Sequence, residues 1–352
     1  MNIALFLEMA AEAAPDRIGL VCDGRRWTYG ELLQGARGAA EMIRQSGCEH
    51  VALLDESSQA AVMALFGSAL AGIPYCPLNY RLADEDLRGL IERIEPALII
   101  GDVERTQSLY PSETNVLLTR DDFTARAVET GKDAPTEGVD GEGIAIQLFT
   151  SGTTGTPKAA ILRHSNLVSY ILGTVEFGSA PEEDAALMSV PPYHIAGISA
   201  LLSSTYSMRR IIMLPSFSPE GWLDLVTSEK ATNAFVVPTM LQRIIEIFDK
   251  GHACDVNSLR AIAYGGGKMP LPVIQRALEL FPITSFVNAY GLTETSSTVA
   301  LLGPDDHRLA QFSDDPAVKA RMGSVGRPLP TVEVEIRDEE GHVVPAGERG
   351  EI

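Results

Sequence analysis

A chain of 352 residues exceeds the roughly 150 expected of one domain, so two or more subdomains with a sizeable core are expected. With 45% hydrophobic and 21% charged residues it has the composition of an ordinary soluble globular protein. Its 28 basic against 47 acidic residues leave a net charge of −19, which argues against nucleic acid and anionic membrane surfaces as partners. Cys22, Cys48, Cys76 and Cys254 are far apart without a C-x-x-C pair, so neither a zinc site nor a disulfide framework is suggested, and a reducing, cytoplasmic setting fits. The first residues lack a basic start, and the weakly polar run 60–74 is too short and glycine-interrupted to span a bilayer, so neither export nor membrane insertion is expected.

In chain order, residues 3–13 predict an amphipathic helix, and 18–21, Asp23-Gly24 and 26–29 a hairpin, followed by a helix from Tyr29 to about Gln45. Strand 50–54, helix 57–71, a short strand at 75–76, helix 84–94 and strands 97–100 and 115–119 follow. Residues 129–142 are acidic and rich in Gly, Asp and Thr, which predicts a linker. After strand 144–148 and a polar loop, the alternation resumes: helix 165–177, strand 186–190, helix 197–205, strand 210–214 and helix 219–229. Strand 232–237, helix 239–248, strand 261–264, helix 271–280 and strand 284–288 complete it. Residues 331–337 alternate as a solvated strand, and 337–342 form a hairpin turn. Apolar strands separated by helices of this length indicate parallel β-α-β units. The expected fold is therefore α/β, with two doubly wound lobes and a small β-rich subdomain: 1–148 for the first lobe and linker, 149–320 for the second lobe, and 321–352 for the start of the β-rich part.

The loop Phe149-Thr150-Ser151-Gly152-Thr153-Thr154-Gly155-Thr156-Pro157-Lys158 concentrates hydroxyls, two glycines and one lysine between two strands. Glycines let backbone N–H groups approach an anion, hydroxyls add donors, and Lys158 adds positive charge, so it reads as a polyphosphate cradle or as a plain solvated hairpin. It is not a P-loop, because Pro157 stands where the second glycine is required and Ala159 follows Lys158.

Three further constellations follow strands. In Val190-Pro191-Pro192-Tyr193-His194-Ile195-Ala196-Gly197, His194 is a general base, a substrate gate or a packed turn residue. Gly265-Gly266-Gly267-Lys268 marks a turn or a close backbone approach, with Lys268 at the surface. Asn288-Ala289-Tyr290-Gly291-Leu292-Thr293-Glu294 offers an aromatic face, a hydroxyl and a carboxylate suited to magnesium, or is a tight turn before an N-capped helix.

Ser151-Gly152-Thr153-Thr154-Gly155-Thr156-Pro157-Lys158 resembles the nucleotide-binding signature of the adenylate-forming superfamily: acyl-CoA synthetases, peptide-synthetase adenylation domains and luciferases. Pro191-Pro192-Tyr193-His194-Ile195-Ala196-Gly197, Tyr290-Gly291-Leu292-Thr293-Glu294, Gly323-Ser324-Val325-Gly326-Arg327-Pro328 and Gly347-Glu348-Arg349-Gly350-Glu351 resemble its other motifs in order. The resemblance implies that Thr150, Ser151, Gly152, Thr153, Thr154, Gly155 and Lys158 hold the β- and γ-phosphates of ATP. It implies that Tyr290 packs on adenine, Thr293 meets the α-phosphate and Glu294 binds Mg2+. Gly265, Gly266, Gly267, Asn288, Ala289 and Gly291 would run beside the nucleotide, and His194 would gate the two half-reactions between acyl and pantetheine tunnels. Tyr193, His194, Val237, Gly265, Gly266 and Asn288 are the expected pocket walls.

The implied reaction is carboxylate plus ATP to acyl-AMP and pyrophosphate, then thioester formation with coenzyme A. His194, Thr293, Glu294 and Lys158 are the candidate catalytic residues. A carrier-protein thiol is an alternative acceptor, and a non-catalytic acyl- or nucleotide-binding module is an alternative of another class. Peptide-synthetase domains place an aspartate near the segment matching 233–238 to meet the substrate amine; here 234–238 is apolar, so an acid without an α-amino group is expected. The family's ribose-binding aspartate, hinge and C-terminal lid with its lysine lie beyond the last motif, so this chain is read as the large core, weak in adenylation without the lid.

Overall fold

The computed structural model describes residues 1–132, 134, 141–150, 157–251 and 254–352. The strands are, in chain order, β1 (Ile18–Cys22), β2 (Arg25–Thr28), β3 (His50–Leu54), β4 (Tyr75–Pro77), β5 (Ala97–Gly101), β6 (Val116–Leu118), β7 (Ile144–Thr150) and β8 (Lys158–Arg163). Next come β9 (Ala185–Met188), β10 (Arg210–Met213), β11 (Asn233–Val236), β12 (Ala261–Gly265), β13 (Ser285–Leu292), β14 (Ser297–Leu302) and β15 (Arg327–Pro328). They form a six-stranded sheet, β6-β5-β3-β4-β7-β8, and a nine-stranded sheet, β15-β14-β13-β12-β11-β9-β10-β1-β2. Pairing is parallel except at β7–β8, β1–β2, β13–β14 and β14–β15, which are antiparallel, the first three being hairpins that replace helical crossovers. The α/β class with two layered sheets is as expected.

The sheets are not divided where the sequence suggested. Hairpin β1–β2 pairs through β1 with β10, on the far edge of the second sheet, although it lies in the first 148 residues. Strand β8 completes the first sheet against β7, although it follows residue 149. Ladder pairing ignores sequence distance, so the chain interlocks the lobes at both crossings. Residues 133 and 135–140 of the expected linker lie outside the described residues.

Helix packing explains two sequence features. Thr28 and Glu31 form a capping box at the start of the helix Tyr29–Ser46, which ends at Gly47 in the left-handed region, φ 68°. The helix Gln59–Ala71 is buried at nearly every position because it lies under that helix, where Gly67 meets Ala39 so closely that a Cβ would fall 2.6 Å from the alanine methyl. A helix at Arg120–Thr130, not anticipated, is capped by Thr119 and seats Ala127 against Gly38 of the same partner.

The tail differs more. Residues 331–337 make no ladder; Arg337 alone bridges to Val343 and Glu351. The turn at 337–342 does close, with Asp338 N donating to His342 O at 2.9 Å and Val344 N to Ile336 O at 2.9 Å. Strand β14 and the helices Pro304–Phe312 and Pro316–Ala320 were also missed, their short polar sequences carrying weak periodicity.

Candidate active site

The site lies along the carboxyl ends of β12 and β13, where open α/β sheets place ligands. Gly265 ends β12 beside Ala289 of β13, and a Cβ at Gly265 would lie 2.3 Å from Ala289 O, so only glycine allows the two strands to pair there. Gly266 then turns the chain at φ +72°. Strand β13 runs through Tyr290 and Gly291 to Leu292, four residues beyond its expected end, and Thr293–Ser296 turn it directly into β14. The helix weighed for this motif is absent. A Cβ at Gly291 would fall 1.7 Å from Ser297 O, and Thr295 Oγ1 closes the turn by accepting from Leu292 N at 2.9 Å. The motif is thus a tight hairpin in which Tyr290 and Thr293 are half-buried and Glu294 is exposed.

Two cavities meet at these strands. One, of about 400 Å³, runs between the helix Ile195–Tyr206 and the face of the nine-stranded sheet carrying Phe235, Ala263, Val287 and Ala289. Small side chains at Ala196, Ala200, Ala261 and Ala263 leave its volume open, and Ser199, Ser203 and Tyr170 add hydroxyls to the wall. The other, of about 460 Å³, is bounded by Gly265, Gly266, Gly267, Asn288, Tyr290 and the segment Met322–Val325. Gly266, Ala289 and Gly291 line both cavities. Asn288 Nδ2 donates to Ser324 O at 3.0 Å, and β15 pairs with β14, so the Gly323–Pro328 segment walls the second cavity.

Of the expected pocket residues, Gly265, Gly266 and Asn288 therefore stand at the cavities, whereas Tyr193, His194 and Val237 line neither. Tyr193 is buried against Tyr80, ring centroids 5.5 Å apart, and its ring centroid lies 4.6 Å from that of His194 at a tilt of 53°, His194 preceding the helix Ile195–Tyr206. The His194 ring is exposed by area yet closely surrounded by protein; desolvation, with the nearby Arg81 charge, holds its pKa below the ordinary value and favours the neutral imidazole. Val237 caps the helix Pro238–Asp249 beside Gly266.

Ser151, Gly152, Thr153, Thr154 and Gly155 lie outside the described residues. The loop's two ends are described: Thr150 and Lys158 face each other at the mouth of β7 and β8, and Lys158 is exposed without an ion pair among the described residues. Arg93 braces this mouth, its Nη1 donating to Pro157 O at 2.7 Å and its guanidinium 4.9 Å from the Phe149 ring. Sequence reasoning missed Arg93, which carries no local motif.

It also missed the cavity residues Ser199, Ser203 and Phe235 and the buried His307. Serines four apart on one helix face, and alternating small residues at 261 and 263, are the signals that were available. His307 Nδ1 lies 2.7 Å from Gly303 O, which can only accept, so Nδ1 carries the proton and Nε2 accepts from the Tyr264 hydroxyl at 2.8 Å. This buried pair fixes β12 beneath the glycine turn, and burial holds the His307 pKa below its ordinary value.

Two interlocked, mostly parallel sheets and paired cavities at the glycine turn fit the adenylate-forming superfamily that the motifs resemble. The chain belongs to the AMP-binding enzyme family, whose pattern matches residues 7–352. It is 28% identical to a fatty acid–acyl-carrier-protein ligase of Streptomyces coeruleorubidus, over 97% of this chain and 66% of the relative. It is also 28% identical to a 2-succinylbenzoate–CoA ligase of Bacillus velezensis, over 99% and 68%. Among solved structures, the o-succinylbenzoate coenzyme A synthetase of Bacillus subtilis in complex with ATP and magnesium superimposes with a TM-score of 0.81 at 25% identity, covering 98% of this chain and 69% of the other. The chain spans about two thirds of the length of these curated relatives.

Proposed function

We propose that this chain is the substrate-binding core of an AMP-forming acid–thiol ligase, which joins a carboxylic acid to ATP and passes the acyl group to a thiol. The observation that carries the reading is the shared wall of Gly266, Ala289 and Gly291, which lets one ligand place an acyl part in the first cavity and a nucleotide in the second. A molecule with that outline is an acyl-adenylate. Each cavity falls in the volume range of small-molecule sites, roughly 300–1,000 Å³.

The residues divide the work by position. Tyr290, half-buried at the second cavity, offers a flat face to adenine, with Gly265–Gly267 allowing close backbone approach. Thr293 holds the α-phosphate, and Thr150, Ser151, Gly152, Thr153, Thr154, Gly155 and Lys158 hold the departing pyrophosphate. Glu294 is exposed, makes no ion pair among the described residues, and so has a free carboxylate for Mg2+, an ion that commonly takes one or two carboxylates with substrate phosphates. Magnesium, when bound, supplies charge neutralisation at the phosphates. Neutral His194, at the start of the cavity's helix, gates the passage from acid activation to thiol acylation. Coenzyme A is the preferred acceptor and a carrier-protein thiol the alternative.

No carboxylate lines the first cavity among the described residues, which supports an acid lacking an α-amino group, since a buried ammonium would need a counter-charge. The test is acid-dependent pyrophosphate release by the full-length polypeptide across an acid panel, with Glu294→Ala beside it. Release of pyrophosphate and AMP, diminished in the variant, is expected. ADP in place of AMP would mark a kinase, and no release with any acid would leave a binding module.

A further inference from the structure

Arg209 is the one charged side chain lining the first cavity among the described residues, and it stands at the end away from the nucleotide. Strand register fixes that placement. Arg210 is level with Ala185, while Ala186, Asn233 and Ala261 share a row at the amino ends of the parallel strands; Gly265 and Ala289 pair at the carboxyl ends. From Ala261 to Gly265 is four residues of extended chain, about 13 Å at roughly 3.3 Å per residue. Arg209 therefore closes the floor of a pocket whose mouth is the glycine turn.

This guanidinium is poorly satisfied. Its Nε is buried without a hydrogen-bond partner. Its nearest carboxylate, Asp184 Oδ2, is 3.8 Å from Nε, while Asp184 Oδ1 is held by Arg260 at 2.6 Å. The neighbouring Arg210 is occupied by Glu229 at 2.7 Å. Asp184 and Glu183, the latter 3.9 Å from Arg260, are both drawn toward Arg260, and burial disfavours the charged form of Arg209, a penalty that an anion in the pocket would relieve. Hydrocarbon ending there would leave the half-buried guanidinium facing a methyl group.

Building on the proposed acid-activating function, we infer that the acid carries a second anionic group at its far end, which Arg209 binds while the reacting carboxylate sits at Gly266. The substrate class is then a dicarboxylic acid, aliphatic or aromatic, long enough to reach from the glycine turn to the far end of the cavity. Guanidinium and carboxylate match in a fork geometry, and the hydroxyls of Ser203 and Tyr170 make the route to it partly polar.

The experiment measures pyrophosphate release by the full-length polypeptide with straight-chain and aromatic dicarboxylates, each paired with the monocarboxylate of equal carbon number. The wild type should favour the dicarboxylate of matching length in kcat/KM by about 30-fold, the value of one charged hydrogen-bonded contact. Arg209→Met should erase that preference while keeping or improving turnover of the monocarboxylates, and Arg209→Lys should retain part of it. Turnover of monocarboxylates with no dicarboxylate preference at any length overturns this inference and leaves the acid-activating reading standing. Silence with every acid overturns both. Should neither variant fold, the wild-type preference decides by itself.

Discussion

Gly265 and Gly266 are adjacent, yet alanine at each should act through a different mechanism. At Gly265 the added methyl meets Ala289 O at 2.3 Å, and ordinary contact begins near 3.4 Å, so β13 must retreat by about 1 Å at a residue that walls both cavities. The obstacle is backbone, which cannot rotate aside. Forcing a methyl into such a packed contact costs about 1–3 kcal/mol, and a displacement near 1 Å at a reacting centre can lower rate by about 100-fold. At Gly266 the nearest atom is Val237 Cγ1 at 3.4 Å, an ordinary contact, and the penalty is the left-handed backbone at φ +72°, about 1–2 kcal/mol. Thermal melting should therefore fall for both variants, whereas pyrophosphate release at saturating acid and ATP should collapse for Gly265→Ala and decline modestly for Gly266→Ala. Equal kinetic effects, or a milder loss at Gly265, would refute the close strand approach as what shapes the site.

Other perturbations have clear directions. Lys158→Ala should cut pyrophosphate release by about 100-fold, in line with removing a charge-stabilising group, with an unchanged melting temperature because the side chain is exposed. Arg93→Ala removes the bond to Pro157 O and the contact with Phe149, so KM for ATP should rise several-fold with little change for the acid. The His307 pKa is depressed in the folded protein, so the unfolded chain takes up the proton first; stability should be full above about 6.5 and decline as pH falls toward the folded value. Melting curves against pH should show that decline, and His307→Gln should flatten it while destabilising the protein at neutral pH. A pH slope identical in variant and wild type would remove His307 as its source.

The amino-acid sequence carried the site's chemistry and hid much of its construction. Hydroxyls and Lys158 in the loop, the glycines at 265–267, and Tyr290, Thr293 and Glu294 are local features, legible because short-range backbone needs and side-chain chemistry select them. The extended course of Tyr290–Leu292 was not legible, because a strand next to a turn is decided by its partner: β14 was itself unrecognised, and Gly291 is demanded by Ser297 O across the hairpin. The same holds for Tyr193, a plausible pocket wall in sequence that packs instead on Tyr80, more than a hundred residues away.

Alternating strands and helices determined by themselves that this is an α/β chain, since periodicity and turn chemistry are local properties, and the ordered motifs carried the resemblance to the adenylate-forming superfamily. Only the tertiary structure decided that β1–β2 belongs to the second sheet and β8 to the first. It also decided that a floor of small residues leaves about 400 Å³ empty and that Arg209 stands at its end. Those facts depend on which distant segments share a ladder row, and row sharing arises from hydrogen bonding between strands and burial across the whole sheet.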